Sequence, residues 1–178
     1  MKTGEKSLEK ENFTQDRLAG LRPGVVVCVV NKEQKVLLGL KKKYQIWEMP
    51  QGGIKEQESL AETIKREIKE ELGEEFLPAL FIPDKPLVAT DQVFFPEKNL
   101  QDKKLSVKGK EVPMTGKKYY FCLAARVKDI EPTKIEYEDF KWVSFEEGKL
   151  LVDKILQKGK KRILLNILGI LKENGFIK

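Results

Sequence analysis

Glu67, Glu70 and Glu71 stand at i, i+3 and i+4 within the run Leu60 to Leu72, with Arg66 directly before them and Glu58 upstream. At about 100° per residue these carboxylates share one arc of a helix. Ala61, Ile64, Ile68 and Leu72 form an apolar stripe on the same helix, and the acidic arc abuts that stripe instead of lying opposite it. Part of the arc therefore sits at the edge of a packed surface. Like charges at this spacing repel, and partial burial makes the repulsion more costly, so the arrangement calls for a cation. Hard divalent cations such as Mg²⁺ take oxygen ligands, keep several waters and are shared with substrate phosphates. Taken alone, a charge run of this kind also reads as a solvated, Lys/Glu-laced helix face.

Punctuation in the chain marks where this helix begins and ends. Gly52 and Gly53 follow Pro50, Ser59 stands as an N-cap with Glu62 completing a capping box, and Gly73 closes the run. Ahead of it, GVVVCVVN from Gly24 and VLLGL from Val36 predict two strands joined by the polar turn Asn31 to Lys35. Behind it come weak strand signals at Leu80 to Ile82 and Gln92 to Phe95, then a long charged loop over Pro96 to Gly116. A clear strand follows from Lys117 and a shorter one from Phe140. The stretch from Phe145 to Lys178 reads as helical, interrupted near Gly159.

Composition bounds the architecture. With 178 residues, 40% of them hydrophobic and 35% charged, the chain builds one ordinary core and is too small for two comfortable domains. Residues 1–18 are polar and charged with no apolar h-region, which predicts a mobile tail or frayed helix ahead of a single domain over 19–178. No stretch approaches a membrane span. Cys28 and Cys122 lie inside strand-like runs without zinc-type spacing, so they read as buried thilos of a cytoplasmic protein in their reduced, thiol form. Histidine is absent, which excludes His-based triads and His metal sites. Acid and base work falls to carboxylates, lysines, tyrosines or metal-bound water.

The joint set Gly52, Glu58, Arg66, Glu67, Glu70, Glu71 and Gly73 resembles the Nudix hydrolase signature G-x5-E-x7-R-E-U-x-E-E-x-G-U, where U is a bulky apolar residue. The final apolar position is Glu74 here, with Phe76 the nearest bulky residue. The resemblance implies a Nudix-type α/β/α sandwich with a mixed sheet. It further implies Mg²⁺ or Mn²⁺ held by Glu67, Glu70 and Glu71, with the backbone carbonyl of Gln51 as a further ligand. By the same resemblance Arg66 and Glu58 steady the loop and helix, and Gly53 belongs to the structural frame of the box. A metal in such a site neutralises phosphate charge, orients in-line attack and acidifies a water. Glu67 and a glutamate outside the box are both candidates for the base.

The run WEMPQGGI, Trp47 to Ile54, is similar to the entry to this box in one branch of the family, the bacterial RNA 5′-pyrophosphohydrolases and the plant-type dinucleoside polyphosphate hydrolases. Arg22-Pro23, the basic-aromatic stretch Lys117 to Phe121, and IEYEDFKWVS from Ile135 to Ser144 resemble further fragments of that branch in the same order. The last of these puts Glu136 where the branch carries a fourth metal-site glutamate. Substrate contacts implied by the resemblance and by charge are Arg22, Lys41, Trp47, Lys117, Tyr119, Lys160 and Lys161. The net charge of +6 favours a polyanionic partner, since Lys and Arg that neutralise phosphates release counterions. Aromatic residues Tyr44, Trp47, Phe94, Phe95, Tyr119 and Tyr120 are candidates for a base-stacking wall, with about half of them expected in the core.

The expected substrate is the 5′-triphosphorylated end of an RNA, cleaved to the 5′-monophosphate. The alternative in the same chemistry is asymmetric hydrolysis of dinucleoside polyphosphates. A nucleotide or RNA sensor on the same scaffold is the alternative without catalysis, and the intact Glu67, Glu70 and Glu71 set argues against it. No membrane and no obligate protein partner are expected.

Overall fold

The computed structural model describes residues 3–96 and 102–178. Its frame is a mixed sheet built on two long strands, β1 (Leu21–Val30) and β9 (Gly116–Arg126), which run parallel from Leu21 opposite Gly116 to Val30 opposite Ala125. Antiparallel to β1 lie β2 (Val36–Lys41) and the short β4 (Gln51–Gly53), while β3 (Ile46–Glu48) and β10 (Tyr137–Val143) flank β2. On the other side β9 takes β5 (Leu80–Phe81) and β6 (Leu87–Phe94), both antiparallel. The expected hairpin over Gly24 to Leu40 is thus present, with Asn31 and Lys35 closing its turn.

Helices cover both faces, which explains why β1 reads as an unbroken apolar run instead of an alternating one. Val25, Val27 and Val29 point to one side, where α1 (Thr3–Leu18) and α2 (Leu60–Leu72) pack through Phe13, Ile64, Ile68 and Leu72. Val26, Cys28 and Val30 point to the other, under α3 (Phe145–Val152) and α4 (Lys158–Glu173), which supply Val152, Leu164, Ile167 and Leu168. This is the expected sandwich of helices about a mixed sheet. Phe76 is fully buried with the α2 side, so it takes the packing role that Glu74 does not. Both cysteines are buried free thiols, and burial pushes Cys122 up to about 12. Among the described residues no helix is long and apolar enough to cross a membrane.

Three expectations are corrected. Residues 3–18 form a docked helix instead of a mobile tail: α1 begins at Thr3, and Phe13, 1% exposed, meets the Tyr120 ring edge-on with centroids 5.1 Å apart, while residues 1–2 lie outside the described residues. Average polarity hid the helix because its anchoring relies on one aromatic and a few polar side chains instead of an apolar stripe. The charged segment before Gly116 is not wholly loop. It forms a second hairpin, β7 (Lys104–Val107) with β8 (Lys110–Pro113), turned by Lys108 and Gly109 at φ 48° and 77°. The part of that segment over 97–101 lies outside the described residues. The C-terminal helical break spans 153–157, and Gly159 sits inside the first turn of α4.

Candidate active site

Helix α2 is fixed at both ends by the residues that announced it. Ser59 Oγ accepts from the Glu62 amide at 3.3 Å while Glu62 Oε2 accepts from the Ser59 amide at 3.0 Å, and Gly73 leaves the helix at φ 98°. Its acidic flank lies against β4, and the glycines of β4 make that approach possible. A Cβ at Gly52 would collide with the Glu67 carboxylate, and one at Gly53 would collide with the Arg22 guanidinium. Glycine is required at Gly52 for space, not for backbone freedom.

Arg66 ties this loop and helix together. Its Nε donates to Glu58 Oε1 at 2.6 Å and its Nη2 to Glu58 Oε2 at 2.9 Å, a bidentate pair, and Nη2 also reaches the Gly53 carbonyl at 2.8 Å. Nη1 donates to Glu67 Oε1 at 2.6 Å. The hydrogen bond from Arg66 pulls the Glu58 carboxyl down to about 2, helped by the Lys55 amide and the Thr63 hydroxyl. The geometry is that of a loop brace, the role the signature assigns to this pair.

Glu67 and Glu71 are almost fully buried, at 6% and 4% exposure. Burial raises both carboxyls, Glu71 to about 7, even though Glu71 accepts from the Tyr137 hydroxyl at 2.7 Å, the Gln51 amide at 3.2 Å and Lys41 Nζ at 3.4 Å. Arg66 opposes the rise at Glu67. Lys41 also pairs with Glu136, so one ammonium bridges the box to the carboxylate outside it. Glu70 is more open, with half its side chain exposed and Arg66 Nη1 at 3.4 Å. Buried carboxylates that remain raised beside a lysine and an arginine are short of positive charge, and all the donors here are oxygens. The set fits a hard divalent cation. Among the described residues no trio of acidic side chains is already turned into a metal shell, because Arg66 and Lys41 hold these groups instead.

Lys41, Gln51 and Gly52, which contact Glu71 and Glu67, line an open cavity of about 800 Å³, while Glu67, Glu70, Glu71 and Glu136 themselves are not among its lining residues. Of the residues expected to touch substrate, Arg22, Lys41, Lys117, Tyr119 and Lys160 line it, together with Gln51, Gly52 and Gly53. Lys117 is partly buried, and burial lowers its ammonium pKa, with Arg22, Lys160 and Lys103 adding repulsion. A cation so placed gains from an anion more than a solvated one does. Tyr44, Phe94 and Phe95 also face the cavity. Tyr120 faces away, onto Phe13.

Two expected contacts lie elsewhere. Trp47 is outside the cavity wall: it packs against the core under α3 and α4, with its ring 4.8 Å from Lys141 Nζ. Lys161 is also outside it and donates to the Asp153 carbonyl at 2.8 Å; one helical step separates its direction from that of Lys160. Conversely, the structure brings in Glu48 and Tyr137, which sequence reasoning passed over. Glu48, 2% exposed, accepts from the Gln51 side chain at 3.0 Å and pairs with Lys160. An acidic residue in an apolar strand was the available signal for Glu48. For Tyr137 the signal was its place beside Glu136.

A NUDIX domain model matches residues 20–166, most of the chain, so the protein belongs to the Nudix family of hydrolases. A protein of Ruthia magnifica subsp. Calyptogena magnifica named RNA pyrophosphohydrolase is 29% identical over 131 residues, covering 71% of this chain and 69% of that one. Its namesake from Hydrogenovibrio crunogenus is 43% identical over 54 residues, a match that spans only 33% of that protein's length and 30% of this chain. The crystal structure of C. elegans Ap4A hydrolase superposes with a TM-score of 0.54 at 16% identity, covering 86% of this chain and 96% of that one, a likeness of fold.

Proposed function

We propose that this protein is a metal-dependent pyrophosphohydrolase that cleaves a phosphoanhydride at the 5′-triphosphorylated end of RNA and leaves a 5′-monophosphate. The observation that carries the reading is one cavity whose walls hold Arg22, Lys117 and Lys160 and also Lys41, Gln51 and Gly52, the residues that contact Glu71 and Glu67 from behind the wall. The curated relatives' names point to the same substrate. Two buried thiols in reduced form accord with a cytoplasmic setting.

In this reading Glu67, Glu70 and Glu71, with Glu136 and Gln51, hold Mg²⁺ or Mn²⁺. Such an ion supplies charge neutralisation at the phosphate oxygens and a more acidic water. The chain's own groups do the rest. Arg66 holds Glu58, Gly53 and Glu67 in one frame, so the ligand helix and the glycine strand keep their spacing. Lys117, Arg22 and Lys160 take the polyphosphate oxygens, and Tyr119 or Tyr44 offers a face to the terminal base. Glu136, which shares the Lys41 ammonium with Glu71, receives the proton of the attacking water.

Product analysis with triphosphorylated RNA, diadenosine tetraphosphate and ADP-ribose side by side, each with Mg²⁺ or Mn²⁺, tests the class. Release of pyrophosphate or successive phosphates from RNA at the highest kcat/KM is the expected result. The salt dependence of KM then separates the substrates. An RNA chain gripped beyond its triphosphate loses affinity steeply with salt, whereas a dinucleotide has few further phosphates to lose. Equal slopes for the two would favour the dinucleoside polyphosphate.

Lys117→Met raises KM for the triphosphorylated oligonucleotide about tenfold and changes kcat less than about threefold, because it removes a binding cation away from the reacting atoms. The variant should not be less stable, since the methionine stem fills the same partly buried space without a charge to desolvate. An unchanged KM would remove Lys117 from the binding wall.

A further inference from the structure

Helix α1 precedes the residues matched by the family model, yet it touches the segment that enters the catalytic helix at both ends. Arg17 is buried, at 6% exposure, and its Nη2 donates to the Ile54 carbonyl at 2.7 Å. One helical face away, Glu9 Oε2 accepts from the Leu60 amide at 3.2 Å. That amide belongs to the first turn of α2, where backbone donors lack intrahelical partners. The exposed pair Lys6 and Glu62, 3.9 Å apart, adds little. Phe13 sits in the α2-side core with Ile54, Leu60 and Ile64, and the Tyr120 hydroxyl donates to Asp16 from the sheet below.

Between Ile54 and Leu60 lies Glu58, the carboxylate that braces Arg66. Apart from α1, the segment is held by the Arg66 pair with Glu58, the Thr63 hydroxyl and the Lys55 amide donating to Glu58 Oε2, the Glu58 amide to the Lys55 carbonyl, the Ser59 and Glu62 capping pair, and the Ile54 amide to the Pro23 carbonyl of β1. Of these bonds only the one from the Ile54 amide reaches the sheet; the others tie the segment to itself and to α2. A buried guanidinium on one end and a carboxylate on the other further fix the segment's distance from the sheet. Burying an arginine costs free energy unless its donors find partners, so a single retained bond from Arg17 to a backbone carbonyl of the active-site loop is an informative use of it.

We propose that α1 is a positioning strap for the active site, in which Arg17 and Glu9 clamp the Ile54 to Leu60 segment so that Glu58 meets Arg66 at the spacing the acidic helix requires. This rests on the active-site reading above. Arg17 and Glu9 touch no substrate and are positioning residues. Because α1 lies ahead of the region matched by the family model, the strap is a feature that the domain core can have or lack, and its seating governs turnover without altering the chemical groups.

The test uses the full-length protein, metal-free for hydrogen exchange and supplied with Mg²⁺ for kinetics. Exchange is followed at the Lys55, Glu58 and Leu60 amides, with Val27 and Cys122 in the central strands as references. Arg17→Met should speed exchange at the loop amides about tenfold with the references unchanged, the signature of local opening. It should lower kcat about tenfold with KM within about twofold, and Arg17→Lys should recover most of that loss. Glu9→Ala removes the acceptor without emptying a buried site, so it folds even where Arg17→Met does not, and it should release the Leu60 amide by a similar factor. Loop and reference amides accelerating together, or no acceleration in either variant, would overturn the strap. If the parent cleaves none of the phosphoanhydride substrates, the active-site reading falls, while the exchange rates still decide whether α1 holds the loop.

Discussion

Glu71→Gln lowers kcat on the order of a thousandfold, the upper range for losing one charge-stabilising group, yet leaves the metal-free protein no less stable than its parent. Both halves follow from the same burial. Glu71 is 4% exposed with its carboxyl pushed up to about 7, so the folded protein holds a proton there that the unfolded chain releases near 4.5. An acid raised on folding makes stability fall as pH rises, from about 4.5 through 7 in this case. At about 1.4 kcal/mol per pH unit the rise from 4.5 to about 7 amounts to a loss of about 3.5 kcal/mol by pH 8, as an order of magnitude. Glutamine carries no charge to desolvate and still accepts from the Tyr137 hydroxyl and the Gln51 amide. Thermal scans in chelator should therefore show equal midpoints at pH 5 and a higher midpoint for the variant at pH 8. Adding Mg²⁺ should raise the parent's midpoint and not the variant's. Retained turnover would sink the ligand assignment, and a variant less stable at pH 8 would contradict the burial argument.

The same contrast between charge pattern and local packing explains what was legible in the sequence. Helix α2 was readable because every level agreed: Ser59 and Glu62 cap it, Ile64, Ile68 and Leu72 bury one face, and Gly73 ends it. The strand pair β1 and β2 was readable for the same reason, and an apolar run buried on both sides announced a sheet covered twice. Helix α1 was not. Its seating depends on Phe13, Asp16 and Arg17 finding Tyr120 and Ile54, residues far along the chain, and no local periodicity encodes such partners. Trp47 was read only as part of a motif, and nothing local in that motif encodes its packing against the core under α3 and α4 and against Lys141. Lys41, Arg22 and Lys117 were named from charge and resemblance, but only the parallel pairing of β1 with β9, setting Arg22 opposite Lys117, explains why these two line one wall.

Glu136→Gln tests the one expected carboxylate ligand that lies outside the acidic helix. Glu136 immediately precedes β10, and its carbonyl accepts from the Lys42 amide at 3.1 Å, which pins the backbone beside the end of β2. From there its side chain reaches Lys41, the same ammonium that meets Glu71, while remaining about half exposed. Both properties matter for a base. Its shared Lys41 contact with a buried carboxylate would put it beside an attacking water in the proposed reading, and exposure would let a proton leave to solvent after each turnover. Glu138, two residues along in β10 and also exposed, is the control, since it carries the same charge without an ion pair to Lys41. Glu136→Gln should lower kcat about a hundredfold with little change in KM, the scale of a positioned acid or base. Neither variant should lose more than about 0.5 kcal/mol of stability, as expected for substitutions at exposed positions. Steady-state kinetics on triphosphorylated RNA measures both. Equal, mild effects of the two substitutions would return Glu136 to the surface and leave Glu67, held at 2.6 Å by Arg66, as the group that takes the proton.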